Sequence, residues 1–271
     1  MRRLSISAAL VLLAAFSCSK SEQRSYYSDP DAVHFSAGVS SDTKTSPIGS
    51  ETEQTNFNIG DKIAISDGGA FFTYVLSSEG WAPENPAKFI RWTSAPTTFK
   101  AYYPVRDGVS FSSASLPADQ STAGAIASAD WMTATNTLSK PQSGFNVDLQ
   151  FQRKTARVKV TIDKYLDEFD GKNPIIWSLS VCGTNATKVS VDGVISYYAL
   201  LLPRSADADR EFLILDVDTK SLVVRGIPDL EEGKTYSFSL TVGKNTVKVA
   251  SVMVSDWGSG SGLPGNSEAI N

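Results

Sequence analysis

FNVDLQFQ, residues 145–152, alternates strictly between apolar and polar side chains. Successive side chains of a β-strand point to opposite faces, so a period of two is typical of a strand that buries one face. The same alternation recurs in Val33–Val39, Phe99–Tyr103, Val158–Ile162 and Thr235–Val242. Strands with one apolar face are typical of antiparallel sheets that are half buried, so we predict an all-β protein.

The apolar faces of these strands define the predicted core. We expect the following side chains to be buried: Phe99, Phe145, Val147, Leu149, Val160, Phe238 and Leu240. Asp192-Gly193 lies between two valine-containing runs and indicates a hairpin turn. Helical signal is confined to one turn over Tyr165–Phe169 and to a long loop or short helix over Ser112–Ala129. Many short strands separated by turn residues favour a β-sandwich.

The apolar pattern shifts by one residue near the C-terminus. Val247 and Val249 have odd numbers, whereas Val252 and Val254 have even ones. Either a β-bulge brings both pairs to one face, or the chain changes sheet at this point. Beyond Trp257 the tail is rich in Gly and Ser, and we expect it to be mobile.

The composition limits the class of protein. The chain has 271 residues, of which 41% are hydrophobic and 20% charged, as expected of a globular protein rather than a disordered one. Its formal net charge is −4 and no basic stripe is present, so the sequence gives no support for a nucleic-acid partner.

The N-terminus has the pattern of an export signal. Arg2 and Arg3 precede an apolar run, Ile6–Phe16, that is too short for a stable membrane span. The small-residue site that follows ends in Cys18, which we expect to be lipidated; the alternative is an ordinary signal peptide with an incidental cysteine. If Cys18 carries lipid, the second cysteine, Cys182, has no disulfide partner. Residues 18–32 are polar and predict a flexible tether.

The order of these segments resembles that of the fimbrillin family, the Mfa-like type V pilins. The resemblance rests on the following segments: Val33–Ala37, Thr43-Lys44, Phe57–Ile63, Tyr74–Trp81, Trp92, Phe99–Pro104, Ala129–Met132, Phe151–Val160, Tyr198–Leu200 with Pro203, Gly233–Tyr236 and Asp256-Trp257. It implies a lipoprotein precursor with two transthyretin-like β-sandwich domains in tandem. The corresponding boundaries are 1–17 for the signal peptide, 18–32 for the tether, 33–154 for the first domain and 155–271 for the second domain with its tail.

The resemblance also implies a route of assembly. In polymerising members a surface protease cuts after a basic residue in the loop that follows the first strand, and Lys44 is the candidate here. The strand that would leave presents Val33, Phe35, Ala37 and Val39 to the core. A strand from another subunit fills the vacated groove, and the candidate donor presents Val247, Val249, Val252 and Val254.

Few residues in the sequence are candidates for catalysis or metal binding. The single His, His34, lies on the polar face of a strand, and Cys182 has no electropositive sequence around it, so nucleophilic catalysis has no basis. No Cys/His cluster predicts zinc, and the acidic run from Asp207 to Asp218 lacks the EF-hand pattern. We therefore expect no enzyme activity, no cofactor and no metal.

The sequence as a whole predicts a structural or accessory subunit of cell-surface fimbriae that supports adhesion. Its partners would be other fimbrial subunits, the outer membrane through the lipid anchor, and host or bacterial surface ligands. The alternative is a non-polymerising tip adhesin or surface glycan-binding lipoprotein, which would expose an aromatic patch from Trp81, Trp92, Tyr102, Tyr103 and Trp131. A hydrolase would need two buried carboxylates about 5–9 Å apart.

Overall fold

Strands dominate the computed structural model, which describes residues 25–40, 56–141, 146–169, 174–191 and 193–257. The strands are β1 (His34–Val39), β2 (Lys62–Ser66), β3 (Phe72–Ser77), β4 (Gly80–Pro83), β5 (Thr97–Tyr103), β6 (Met132–Leu138), β7 (Asn146–Arg153), β8 (Ala156–Tyr165), β9 (Ile176–Val181), β10 (Thr184–Asn185), β11 (Thr187–Val191), β12 (Val194–Leu201), β13 (Asp207–Val217), β14 (Lys220–Ile227), β15 (Lys234–Val242) and β16 (Val247–Asp256). A short helix, α1 (Ala123–Ala127), precedes β6. The prediction of an all-β fold is confirmed.

The first seven strands form one sheet in the order β1-β7-β6-β5-β2-β3-β4. Its apolar side chains make one core, which includes Phe99, Val147 and Leu149 as predicted. β1 pairs with β7 in parallel, although the alternating pattern predicted antiparallel strands. Strands joined by a tight hairpin must be antiparallel, but residues 40–145 separate β1 from β7, so the connection imposes no direction on this pair.

The remaining strands form a sandwich of two sheets, ordered β10-β9-β13-β14 and β11-β12-β8-β15-β16. Buried side chains from both sheets make a second core, which includes Val160, Phe238 and Leu240 as predicted. Phe145 lies outside the described residues. The chain passes from the first sheet to the sandwich between Arg153 and Ala156. The division into two transthyretin-like domains at 154/155 stays a prediction.

Of the two alternatives for the shift in apolar parity near the C-terminus, β16 contains the β-bulge. The register with β15 passes from Ser239↔Ser251 to Leu240↔Val249, which leaves Ala250 as the extra residue. Val247, Val249 and Val252 consequently all pack, half-buried, against the second core. Val254 does not follow them, since 55% of it is exposed.

The predicted turns are partly correct. β11 and β12 form the hairpin expected at Asp192-Gly193, with Val191 opposite Val194 and Gly193 at φ 81°. Helix α1 lies within the predicted loop and begins after Thr122, whose side chain accepts a hydrogen bond from the Ala125 amide. Residues 165–169 form the end of β8 and a turn rather than a helical turn.

The loop that contains α1 joins the first sheet to the sandwich. The buried side chain of Gln120 donates to the Leu200 carbonyl and accepts from the Leu200 amide, both at 2.8 Å. Asp130, next to α1, accepts hydrogen bonds of 3.1 and 3.2 Å from Arg153 Nε, and both side chains are buried. The guanidinium of Arg153 also lies 4.5 Å from the centre of a Trp257 ring. The end of β16 is thereby fixed to the end of β7.

Candidate functional site

β1 is an edge strand whose apolar side faces the first core. Within the part of the chain that the structure describes, its one ladder partner is β7, in a register that runs from His34↔Asn146 to Val39↔Phe151. Val33, Phe35 and Val39 are buried, and Ala37 is half-buried against the same core. The sequence therefore placed all four side chains on the correct face. Whether β1 is displaced stays a prediction.

Phe35 makes the central contact of β1 with the sheet. Its side chain is 3% exposed, and its ring meets those of Tyr74 and Phe99 edge-to-face at centroid distances of 5.1 and 5.5 Å. On the opposite face of β1, Ser36 donates a hydrogen bond of 3.0 Å to Asp148. We call the surface covered by β1, which consists of β7 and the rings of Tyr74 and Phe99, the β1 groove.

β7 depends on β1 for much of its strand pairing. Its ladder with β6 consists of Met132↔Arg153 and Thr133↔Gln152, at the C-terminal end of β7. Residues 146–151 of β7 are paired with β1 instead. The backbone of Ser40 extends this ladder by donating to the Phe151 carbonyl at 2.8 Å. Loss of β1 would leave six consecutive residues of β7 without a ladder partner.

The segment before β1 packs against the protein, so the prediction of a flexible tether over 18–32 is wrong for residues 25–32. Tyr26 is 3% exposed, and its amide donates to the Pro86 carbonyl at 2.9 Å. Its hydroxyl is hydrogen-bonded to His34 Nδ1 at 2.8 Å and donates to the Trp81 carbonyl at 3.4 Å. Burial raises the pKa of Tyr26 to about 12. Residues 18–24 lie outside the described part of the chain.

Backbone bonds and ion pairs fix the rest of this segment. The Val33 amide donates to the Ile90 carbonyl at 3.0 Å, and the Trp92 amide donates to the Asp31 carbonyl at 2.8 Å. Arg91 pairs with Asp29 at 2.8 Å, and Lys140 pairs with Asp31. Residues 25–33 and β1 therefore form one continuous unit, which we call the N-terminal segment (residues 25–39).

Two residues of the predicted assembly route lie outside the described residues: the lipidation candidate Cys18 and the cleavage candidate Lys44. Both stay predictions. Lys44 falls in the connection between β1 and β2, which comprises residues 40–61. A cut at Lys44 would leave the N-terminal segment attached to the rest of the protein by non-covalent contacts alone.

The candidate donor strand is the edge strand of the second sandwich sheet. β16 pairs with β15 along its length, from Val242↔Val247 to Lys234↔Asp256. Three of its four predicted valines pack against the second core, as described above. To act as a donor, β16 would have to give up its pairing with β15 and its packing against the second core.

The two residues weighed for catalysis have local partners. His34 is exposed on β1, as its place on the polar face predicted. Its Nδ1 is hydrogen-bonded to the Tyr26 hydroxyl. Cys182 is half-buried in the turn between β9 and β10, with φ 50°. Burial raises the pKa of its thiol, and Arg204 and Arg210 oppose this rise. The sequence did not show these two arginines near Cys182, because folding brings them there from beyond β12.

The acidic residues considered for calcium are held separately. Glu211 pairs with Arg225 at 2.9 Å, and Asp216 accepts hydrogen bonds from Ser178 at 2.5 Å and Ser221 at 2.6 Å. Within the described ranges, no three His, Cys, Asp or Glu side chains cluster closely enough to hold a metal ion. Asp130 is the buried carboxylate in that part of the chain, so the pair required for a hydrolase is not found there.

The five aromatic residues proposed as a glycan platform do not form an exposed patch. Trp81 and Tyr103 are buried, and Trp92, Tyr102 and Trp131 are half-buried. The sequence analysis missed Trp177 on β9, which is 68% exposed. A register shift in the β13–β9 ladder, from Asp216↔Ser178 to Val217↔Ile176, turns Trp177 outward and Ile176 inward.

Comparisons with known proteins identify the family. A family model described as fimbrillin-like matches residues 49–257, so β1 and Lys44 precede the matched part. No curated protein matches the chain. None of the helices in the described residues is long and apolar enough to span a membrane.

Several solved structures share the fold. One is a proposed cell adhesion protein from Bacteroides ovatus ATCC 8483, with a TM-score of 0.57 and 13% identity over 83% of this chain and 97% of that chain. Another, from Bacteroides uniformis ATCC 8492, has a TM-score of 0.54 and 19% identity over 83% and 98%. A fimbrial protein from Bacteroides ovatus ATCC 8483 has a TM-score of 0.50 and 17% identity over 80% and 50%. Such low identities show the fold alone. Because the family model covers most of the chain, this protein belongs to the fimbrillin-like family.

Proposed function

We propose that the protein is a subunit of cell-surface fimbriae that is exported as a lipoprotein, anchored to the outer membrane at Cys18, and joined to its neighbours by exchange of β1. Membership of the fimbrillin-like family supports the fimbrial role. One structural observation supports strand exchange above the others. Among the described strands, β1 buries its apolar side in a core while pairing with β7 alone.

The proposed mechanism begins with a cut after Lys44. The N-terminal segment then leaves, and the β1 groove opens along residues 146–151 of β7. An incoming strand with alternating apolar residues remakes the ladder with β7 and buries its side chains against Tyr74 and Phe99. Burial of four apolar side chains contributes roughly 6–12 kcal/mol before ordering costs, at about 1.5–3 kcal/mol each. That is enough to hold a fibre without covalent bonds.

The open groove also provides a driving force for assembly. Within residues 146–151 of β7, the backbone groups that now face β1 would be unpaired, next to the exposed rings of the first core. An exposed strand edge of this kind pairs readily with another extended chain. The precursor avoids premature assembly because its own N-terminal segment fills the groove.

The test compares cut and uncut protein. Purified full-length chain with a specific protease site introduced after Lys44 is cleaved, mixed with a candidate partner subunit, and separated by size-exclusion chromatography. A Lys44→Gln chain without the introduced site is the matched control. We expect oligomers only after cleavage, with loss of the N-terminal segment measured by mass spectrometry. Cleaved, folded protein that releases the segment and still forms no complex with any fimbrial subunit would contradict strand exchange.

A further inference from the structure

The pocket that holds Tyr26 adds a second binding site to the β1 groove. It is formed by the rings of Tyr74 and Phe89, at centroid distances of 6.4 and 5.7 Å from the Tyr26 ring, and by the carbonyl oxygens of Trp81 and Pro86. All four of these residues follow Lys44 in sequence. They would therefore remain in the protein if the N-terminal segment left, and the pocket would become empty together with the groove.

Two cations pair with the stretch of the N-terminal segment between Tyr26 and Val33. Arg91 pairs with Asp29, whose side chain is largely covered, and Lys140 pairs with Asp31. Both cations also belong to the part of the protein that would remain. Both carboxylates belong to the N-terminal segment, so its departure would leave two positive charges facing the empty site.

On the basis of the proposed function, we infer that the vacated site selects a strand of another subunit that carries an aromatic residue and two acidic residues ahead of its alternating apolar residues. The spacing follows from the segment that fits now. Tyr26 precedes Val33, the first buried residue of the apolar run, by seven positions, and Asp29 and Asp31 lie between them. The aromatic hydroxyl would donate a hydrogen bond to the Trp81 carbonyl, and the carboxylates would form ion pairs with Arg91 and Lys140.

This requirement excludes the Val247–Val254 strand of a second copy as the full replacement. The strand has no aromatic residue, and its one charged residue is Lys248. Residues 243–246 before it add a second lysine, Lys244, and no acid. A basic strand would meet Arg91 and Lys140 with like charge and would leave the Tyr26 pocket unfilled. The partner that fits is therefore acidic and aromatic at its leading end.

The experiment uses the full-length chain cleaved after Lys44 and a fluorescent peptide of residues 25–40. Binding of the peptide is followed by anisotropy as it replaces the bound N-terminal segment. The competitors are unlabelled peptides: the native sequence, Tyr26→Ala, Tyr26→Phe, the double variant Asp29→Asn/Asp31→Asn, and residues 244–256. Tyr27→Ala is the matched control, because Tyr27 is adjacent to Tyr26 but 70% exposed. All variants are in the peptide, so the protein itself stays unchanged.

We expect the native and Tyr27→Ala peptides to compete equally. The Tyr26→Ala peptide should be weaker by about 100-fold, as for removal of a buried aromatic side chain. The double Asp→Asn peptide should be weaker by about twofold to fivefold at low salt, and this difference should disappear at high salt. The peptide of residues 244–256 should not compete.

The outcomes separate this inference from the proposed function. If Tyr26→Ala competes as well as the native peptide, or if residues 244–256 compete equally, the selectivity is wrong and strand exchange stands. If no peptide binds to the cleaved protein, including the native one, strand exchange at the β1 groove is wrong. The inferred selectivity is then wrong as well.

Discussion

Replacement of Phe35 by alanine should lower the free energy of unfolding of the precursor. It should weaken the binding of the cleaved N-terminal segment to the rest of the protein by the same amount of free energy. The Phe35 ring fills the centre of the first core between Tyr74 and Phe99. Removal of a fully packed phenylalanine side chain costs about 3–5 kcal/mol. In a chain cut after Lys44 the same contacts are intermolecular, so the affinity for the segment should fall by between about a hundredfold and a few thousandfold.

Two assays measure this prediction. Urea unfolding of the intact chain gives the change in the free energy of unfolding, and dissociation of the labelled segment from the cut chain gives the change in binding free energy. Ser36→Ala is the control on the opposite face of the same strand, where one exposed hydrogen bond to Asp148 is lost. We expect a change within about 0.5 kcal/mol for this control.

A small effect of Phe35→Ala on stability would contradict a central role of Phe35 in the first core. A loss of less than about 1 kcal/mol in the free energy of unfolding, or a loss equal to that of Ser36→Ala, would show that Phe35 does not fix β1 to the core. A large cost in the intact chain without a matching loss of affinity in the cut chain would show that the segment is held mainly by its covalent connection.

Three other predictions test separate parts of the account. Cys18→Ala should move the protein from the membrane fraction to the soluble exported fraction, and unchanged fractionation would mean that Cys18 is not the anchor. Arg153→Met should lower the free energy of unfolding by about 3–5 kcal/mol because it leaves Asp130 buried without its partner, and double-mutant analysis with Asp130→Asn should recover part of this loss. The pKa of Tyr26 is raised from 10.0 to about 12, so the folded state resists its ionisation; the contribution of Tyr26 to stability should be constant below pH 10 and should fall by about 1.4 kcal/mol per pH unit between 10 and 12. Tyr26→Phe should reduce that slope, as measured by urea unfolding across this range, and an unchanged slope would show that Tyr26 is not buried.

Alternation along the sequence predicted the parts of the fold that depend on neighbouring residues. Val147, Leu149 and Phe238 are buried because a strand directs every second side chain to one face, whichever strands lie beside it. The shift in apolar parity at Ala250 predicted either a bulge or a change of sheet, and the structure contains the bulge. The apolar face formed by Val33 and by Phe35, Ala37 and Val39 of β1 was also placed correctly.

The features that were missed depend on contacts between distant residues. Neither the parallel pairing of β1 with β7 nor the pocket around Tyr26 has a local pattern, because Tyr26 lies among polar residues and its partners are Tyr74 and Phe89. Trp177 has the same parity as the buried Leu179, but a register shift against β13 turns Trp177 outward. In each case the residue that determines the arrangement is distant in sequence, and local sequence patterns do not identify it.

Hydrogen–deuterium exchange of β7 tests the central claim most directly. Residues 146–151 of β7 pair with β1, and the β6 ladder covers only the far end of the strand. After cleavage at Lys44 and removal of the N-terminal segment, the amides within residues 146–151 that face β1 should lose protection, while those of β15 in the sandwich keep theirs. Addition of a strand that fills the groove should restore protection to the same amides. Unchanged protection of β7 after the segment has left, or protection that no added strand restores, would contradict strand exchange at this site.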